Sequence, residues 1–158
     1  MTKTNTNPFL PDLYEMKQGK SNYLKLQDGD NKFRILTSAI TGFEYFNKDN
    51  KPVRQKEEFK WVIKDIKDDW KVKEFWAFVV YNYSLDKIQV MEITQASIKN
   101  QIMNLVNDKD FGNPIWYDIK ITKKWKALDT EYFVNALNQS DANPQWIVKA
   151  WQINLEAL

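Results

Sequence analysis

The chain has 158 residues, 43% of them hydrophobic and 28% charged, and a formal net charge of +2. This composition predicts one globular domain with a sizeable core, and excludes an intrinsically disordered chain. The sequence has neither cysteine nor histidine, which excludes disulfides, thiolate nucleophiles, zinc fingers and Ser-His-Asp triads. Aromatic residues make up 15% of the chain, more than one small core requires.

The sequence also bears on location. No apolar run approaches the roughly 20 residues that a transmembrane helix needs, so we expect no membrane association. The polar N-terminus, Met1 to Pro11, has no signal-peptide pattern. We therefore expect a cytoplasmic protein.

The first elements are an arm and a bent strand. Proline and glycine among polar residues predict a flexible arm over residues 1–22. A strand is predicted from Phe33 through Ile40 and on to Phe46, and Gly42 predicts a bulge or bend where this long strand turns a barrel corner.

The middle of the chain predicts further strands. Residues 54–71 alternate charged and aromatic side chains and predict an inserted hairpin near 55–71. Residues 75–83 form the strongest strand pattern, and a turn at 84–86 leads to a paired strand from Lys87 to Ile93.

A helix and two strands follow. Thr94 is the predicted N-cap of a helix whose apolar face carries Ile98, Ile102, Leu105 and Val106. Strict alternation from Trp116 to Lys123 predicts a strand with Tyr117, Ile119 and Ile121 on one face, and a last strand spans about 131–136.

This element order predicts an all-β fold with one or two helices. A five-stranded barrel with its helix between strands 3 and 4 is the OB-fold arrangement. The predicted domain covers residues 23–137. Residues 138–158 are predicted to form an amphipathic segment, which packs on the barrel or docks to another protein. Its predicted apolar face carries Val148, Trp151, Leu155 and Leu158.

The central strand, 75–83, is apolar on both faces. Its even-numbered face carries Trp76 and Phe78, two large flat rings that suit stacking of nucleic-acid bases. The odd-numbered face, with Ala and Val between aromatic residues, suits a tight core. The alternative is that the N-terminal arm or the C-terminal segment covers the outer face.

Two further groups are candidates for binding. Residues Tyr45, Phe46, Lys51, Arg54 and Trp61 flank the turn between the first two long strands, where OB proteins place binding loops. Arg54 could clamp a phosphate or stack on a base, or form an ordinary surface ion pair. The second group interleaves positive charge with an aromatic ring: Lys120, Lys123, Lys124 and Trp125.

Catalytic chemistry is not indicated. Asp65, Asp68 and Asp69 match no metal-binding loop, and the four glycines are too scattered for a phosphate-binding loop. We therefore expect no metal, no cofactor and no enzymatic activity.

Several segments together resemble the phage and prophage single-stranded DNA-binding proteins. The resemblance covers about residues 22 to 137 and is carried by Tyr45-Phe46-Asn47, Lys51-Pro52-Val53-Arg54, the 75–83 strand, Ile88 to Gln95, Tyr117 to Thr122 and Leu128 to Tyr132. It implies an OB-fold that coats single-stranded DNA during replication, recombination or repair, without sequence readout. It also implies binding roles for Tyr45, Lys51, Arg54, Trp76, Phe78 and Lys120.

The chain departs from that family at its end. Such proteins often finish in an acidic tail that recruits partners, whereas this sequence finishes in Asn154-Leu155-Glu156-Ala157-Leu158. Partners in replication or recombination and the oligomeric state stay open. The alternative function is an aromatic surface that binds a protein partner or a carbohydrate.

Overall fold

The computed structural model describes residues 22–68, 70–125 and 129–155. These residues form a mostly antiparallel β-sheet with two α-helices. The strands are β1 (Gly29–Ile35), β2 (Ile40–Phe46), β3 (Pro52–Gln55), β4 (Lys73–Asn82), β5 (Lys87–Ile93), β6 (Tyr117–Trp125) and β7 (Thr130–Gln139). The helices are α1 (Ala96–Val106) and α2 (Pro144–Trp151), and a short 3₁₀ turn (Pro114–Trp116) precedes β6. The predicted arm, 1–22, lies almost entirely outside the described residues.

Strand β4 organises the sheet. Its N-terminal half pairs with β2 and its C-terminal half with β1, both along one edge, and β5 pairs along the other edge. Outward from β1 come β6 and then β7, and β3 lies outside β2, which gives the order β3-β2-β4-β1-β6-β7 with β5 against β4. The all-β prediction with one or two helices is confirmed at this level.

The predicted long first strand is two strands. Residues 36–39 separate β1 from β2, and the Leu36 amide donates a hydrogen bond of 2.8 Å to the Val79 carbonyl. Gly42, where the bend was predicted, lies inside β2. A Cβ atom there would stand 2.7 Å from the Phe75 ring of β4, closer than van der Waals contact allows. The glycine therefore makes room for this ring, and the chain changes direction before it.

Two other local predictions are wrong. Residues 56–68 and 70–72 contain no strand, so there is no inserted hairpin near 55–71; the hairpin is β2–β3, and the segment after it joins the sheet only through a bridge between Asn47 and Ile66. Phe59 and Trp70 of this segment pack on rings of β2, and Trp61 packs on Phe59. Helix α1 begins after Gln95, not Thr94, and has no side-chain cap.

The main core lies between one face of the sheet and α1. Tyr117, Ile119 and Ile121 are fully buried on this face, which confirms their predicted alternation. They pack with other buried residues of the sheet and with two residues of α1: Phe33, Ile35, Phe78, Val80, Met91, Ile93, Ile98 and Ile102. The helix thus covers the even-numbered face of β4.

A second core covers the opposite face of β4. Val79 and Tyr81 contact α2 through Trp146, Ile147 and Ala150. The C-terminal segment therefore packs on the sheet of its own chain. The predicted apolar face of this segment is wrong for Val148 and Trp151, which the short helix turns toward solvent with exposed fractions of 55% and 74%. Leu155 packs against this second core as predicted, and Leu158 lies outside the described residues.

The sheet is open. A five-stranded barrel would close by pairing β5 with β7, and no such ladder exists among the described residues. The edge of β5 is used by the chain just before β1 instead. The Val90 amide donates to the Asn22 carbonyl at 2.8 Å, and the Leu24 amide donates to the Val90 carbonyl at 2.9 Å.

The backbone groups on the free edge of β7 form hydrogen bonds with a side chain of α1. Gln101 Nε2 donates to the Tyr132 carbonyl at 2.8 Å, and Gln101 Oε1 accepts from the Val134 amide at 2.9 Å. One glutamine thus makes the two hydrogen bonds that a neighbouring strand residue would make. Because buried backbone groups need partners, this contact and the Asn22–Leu24 segment explain how the sheet stays open at little energetic cost.

Candidate nucleic-acid interface

The two residues predicted to stack bases from β4 do not form an exposed pair. Phe78 is only 2% exposed and belongs to the core under α1, so the prediction that it stacks bases is wrong. Trp76 is half-buried, and its indole Nε1 donates to Glu74 Oε1 at 3.0 Å. The even-numbered face is apolar because α1 covers it, and α2 covers much of the odd-numbered face.

Arg54 is held by two carboxylates. Its Nε donates to Glu44 Oε2 at 2.8 Å, and its two terminal nitrogens donate to the two oxygens of Glu92 at 3.0 and 2.6 Å. The guanidinium carbon also lies 4.7 Å from the centroid of the Phe75 ring. The hydrogen bond to Glu92 raises the pKa of Arg54 above its ordinary value. The ion-pair alternative is therefore the one observed, and a phosphate would have to displace these carboxylates.

The rest of the turn group is partly buried. Tyr45 is 6% exposed and meets the Phe59 ring edge-on at 5.1 Å, and Phe59 in turn meets Trp61 at 5.6 Å. Phe46 packs edge-on against Trp70 at 4.8 Å. Only two of the predicted side chains in this group reach well into solvent: Lys51 and Trp61, the latter 60% exposed.

The predicted group on β6 divides between the two faces of the strand. Lys120 and Lys124 share the outer face with Thr122, whereas Lys123 follows the inward side, and its Nζ lies 4.0 Å from Asp28 Oδ1. Trp125 ends the strand with 70% of its surface exposed. Two lysines and one tryptophan of this group are therefore available to a ligand.

The sheet register brings these lysines beside residues from other strands. Lys32 of β1 stands opposite Lys120, and Thr122 stands opposite Phe133 of β7. The outer faces of β1, β6 and β7, with the residue that follows β4, thus form one surface, which we call the lysine–aromatic face. It consists of Lys32, Tyr83, Lys120, Lys124 and Phe133.

Cations and rings contact each other on this face. Lys32 Nζ lies 4.4 Å from the centroid of the Tyr83 ring, and Lys124 Nζ lies 5.2 Å from that of Phe133, which is 41% exposed. Proteins that bind single-stranded nucleic acids without sequence preference combine positive charge with flat rings. Sequence reasoning missed Lys32 and Phe133 because only the strand register shows that they lie beside the lysines of β6.

The face also carries acidic groups. Asp30 accepts a hydrogen bond of 2.7 Å from the Thr122 hydroxyl, and Glu131 stands opposite Lys124. The face therefore carries three lysines and two carboxylates, when the adjacent Arg34–Asp118 pair is counted as neutral. The positive excess is modest, so stacking must contribute substantially to any binding of nucleic acid here.

A buried ion pair lies on the same side of the sheet, beside the lysine–aromatic face. Arg34 is 1% exposed, and its Nε donates to Asp118 Oδ1 at 2.7 Å. Its terminal nitrogens donate to the Ser140 carbonyl at 2.9 Å and to the Ser140 hydroxyl at 2.5 Å. The Tyr83 hydroxyl donates to the same Asp118 oxygen at 2.8 Å. This network fixes β1, β6 and the end of β7, and it orients Tyr83.

Tyr83 should lose its hydroxyl proton at an unusually high pH. Burial, reinforced by the hydrogen bond to Asp118, raises the pKa of Tyr83 to about 12, above the ordinary value near 10. Because the folded-state pKa is the higher one, this tyrosine stabilises the fold fully below about pH 10 and loses that contribution as pH rises toward 12. We expect the Tyr83→Phe variant to lack one late step in a tyrosinate absorbance titration. An unchanged titration curve would contradict this placement of the hydroxyl.

Other kinds of site receive no support. Among the described residues, no group of three acidic side chains could hold a metal ion; Asp69, one of the three aspartates that match no metal-binding loop, lies outside them. Within the same part of the chain, no helix has the length and apolarity needed to cross a bilayer.

Comparison with known proteins found no matching family model, no matching curated protein and no matching solved structure.

Proposed function

We propose that this protein binds single-stranded DNA without catalysis and without reading its sequence, in phage replication, recombination or repair. The observation that carries the proposal is the lysine–aromatic face, where three lysines alternate with Tyr83 and Phe133. On this proposal the protein works in the cytoplasm of the host bacterium, beside replication or recombination proteins.

The strand order supports an OB-like arrangement. Since β1 and β2 pair along the same edge of β4, they correspond to the two halves of one bent first strand. Strands β4 and β5 are then the second and third, α1 follows, and β6 and β7 are the fourth and fifth. This is the OB order with the helix between strands 3 and 4. The Asn22–Leu24 segment and Gln101 occupy the position at which a complete barrel would close.

The face offers two kinds of contact to a single strand. Lys120 has no ion-pair partner within the described part of the chain, so its ammonium group is available to a phosphate. Phe133 and Trp125, 41% and 70% exposed, offer flat surfaces to bases. Stacking on an aromatic side chain tolerates any base because every base has a π-face, which is consistent with binding that ignores sequence.

Two further exposed tryptophans lie next to connections between strands. Trp125 ends β6, before the connection to β7, and Trp61 lies in the segment after β3. In the OB correspondence these connections are the loops between strands 4 and 5 and between strands 1 and 2, which OB proteins use for oligonucleotides. Trp61, Trp125 and Lys51 therefore stay in the proposed interface, and Phe78 leaves it.

The lysines should set the salt dependence. For single strands, log affinity falls with log salt by about 0.7 per phosphate neutralised. We expect Lys120→Gln with Lys124→Gln to reduce this slope by about 1 to 1.4. Fluorescence anisotropy of a labelled oligo-dT, titrated at several salt concentrations, measures the slope. Lys109→Gln, an exposed lysine in the loop after α1, is the matched control and should leave the slope unchanged.

Removing the aromatic rings should weaken DNA binding without changing the slope of log affinity against log salt. Phe133→Ala and Trp125→Ala should each weaken binding by about 1–3 kcal/mol, with Trp151→Ala as the exposed-tryptophan control. A duplex of equal length should bind much more weakly. If the wild-type protein does not bind oligo-dT at low salt, the proposal is wrong. If it binds but neither the lysine substitutions nor the aromatic substitutions change the affinity or its salt dependence, the DNA lies on another surface. Binding to a sugar polymer, insensitive to salt, would favour the carbohydrate alternative.

A further inference from the structure

Two adjoining cavities lie around the turn at residues 36–39, away from the lysine–aromatic face. The first, about 480 Å³, lies between this turn, the 113–116 segment and α2. The second, about 410 Å³, lies between the same turn, the C-terminal half of α1 and Trp76. They share Ile35, Thr37, Ser38 and Asn113, so they adjoin at this turn, and we call the two together the cleft.

Large apolar side chains border this cleft and remain in solvent. Trp116 and Trp151 line the first cavity with exposed fractions of 53% and 74%, and Met103 and Val106 line the second at 43% and 38%. None of these four belongs to the core clusters among the described residues. Exposed apolar groups gathered around a concave surface mark a binding site for another molecule.

The charge of the cleft indicates which molecule. Asp141 is the one charged side chain that lines either cavity, and neither cavity has a lysine or arginine among its described lining residues. Within the described residues Asp141 makes no ion pair. A carboxylate in a cavity that no described cation lines repels a phosphate backbone and attracts a cation. The charge of the cleft is therefore opposite in sign to that of the lysine–aromatic face.

We infer that this cleft docks a segment of a protein partner that carries an aromatic or long aliphatic side chain close to a lysine or arginine. The apolar side chain enters between Trp116 and Trp151, and the cation meets Asp141 or an indole face. The first cavity, about 480 Å³, lies within the range of roughly 300–1,000 Å³ of pockets that bury a small ligand, so it has room for one large side chain. The two indoles are the kind of side chain that dominates binding energy at interfaces.

Selection from a random 12-residue peptide library on the full-length protein tests this inference. We expect the enriched peptides to combine Phe, Trp or Leu with a nearby Lys or Arg. One enriched peptide, synthesised and titrated by calorimetry, should bind Trp151→Ala about tenfold or more weakly. Asp141→Asn should weaken it about fivefold, the size expected when one exposed charge pair is lost. Both substitutions are at exposed side chains, and circular dichroism will verify the fold.

Matched controls separate this site from the DNA surface. Trp125→Ala, an equally exposed tryptophan, should leave peptide affinity unchanged, whereas Trp151→Ala and Asp141→Asn should leave oligo-dT affinity unchanged. Enriched peptides that are acidic or uncharged would overturn the inference, as would affinity that does not depend on Trp151 or an absence of enrichment. Self-association that Trp151→Ala abolishes in light scattering would also overturn it, because the occupant would be a second copy of this chain.

Discussion

Replacing Arg34 by methionine is expected to lower the free energy of unfolding by about 3–5 kcal/mol, because breaking a buried ion pair leaves one charge without compensation. Asp118 would lose its 2.7 Å hydrogen bond from Arg34, and Ser140 would lose two donors. Methionine keeps a similar length, so little of the loss comes from an empty cavity. Urea unfolding followed by tryptophan fluorescence measures the change.

Neighbouring variants show whether the charge is responsible. Lys32→Met, two residues away on the same face of β1 and 45% exposed, should cost less than about 1 kcal/mol because its contact with Asp118 is long and solvated. The double variant Arg34→Met, Asp118→Leu should recover much of the loss, since apolar replacement of a whole buried pair is often tolerated. A single-variant loss below about 1 kcal/mol would mean that Asp118 stays solvated.

The Arg34 network also shows why part of the site escaped prediction. The pattern Phe33-Arg34-Ile35-Leu36 indicates a strand but gives no sign that Arg34 is buried. Its partners Asp118 and Ser140 are 84 and 106 residues away along the chain. Such a pair becomes visible only when the register of β1 against β6 is known. Lys32 and Phe133 escaped for the same reason.

Local patterns were more informative where they depend on alternation alone. The buried positions of β6 and the helix over 96–106 follow from periods of two and 3.6 residues, and the structure has both. The separation of β1 from β2 does not follow from any period, because Leu36 is apolar and continues the strand pattern. It depends on how β4 divides one edge between two strands, which is a tertiary property.

The choice of face on β4 is the clearest case of this limit. Both faces are apolar, so alternation cannot show which one is the main core. Trp76 and Phe78 were assigned to the surface because flat rings suit stacking, yet α1 packs on that face and α2 on the other. The sequence does contain the apolar residues of both helices. It does not show which helix covers which face.

Phe78 therefore provides a decisive test of the face assignment. Phe78→Ala should destabilise the fold by about 3–5 kcal/mol, because it removes a buried ring and leaves a cavity. Its neighbours in that core include Ile98 and Ile102 of α1, so we also expect the helix to lose protection from hydrogen exchange. Phe133→Ala, the matched exposed phenylalanine, should cost at most about 1 kcal/mol.

The order of the two effects should reverse when oligo-dT affinity is measured instead of stability: Phe133→Ala should have the larger effect and Phe78→Ala the smaller. With the Phe78→Ala protein kept folded at low temperature, we expect its oligo-dT affinity to equal that of wild type, whereas Phe133→Ala loses the stacking contribution. The opposite result is a Phe78→Ala protein with the wild-type free energy of unfolding but weaker DNA binding. It would mean that bases stack on the even-numbered face of β4. In that case α1 would have to move away from the sheet when DNA binds, because Phe78 is 2% exposed beneath it.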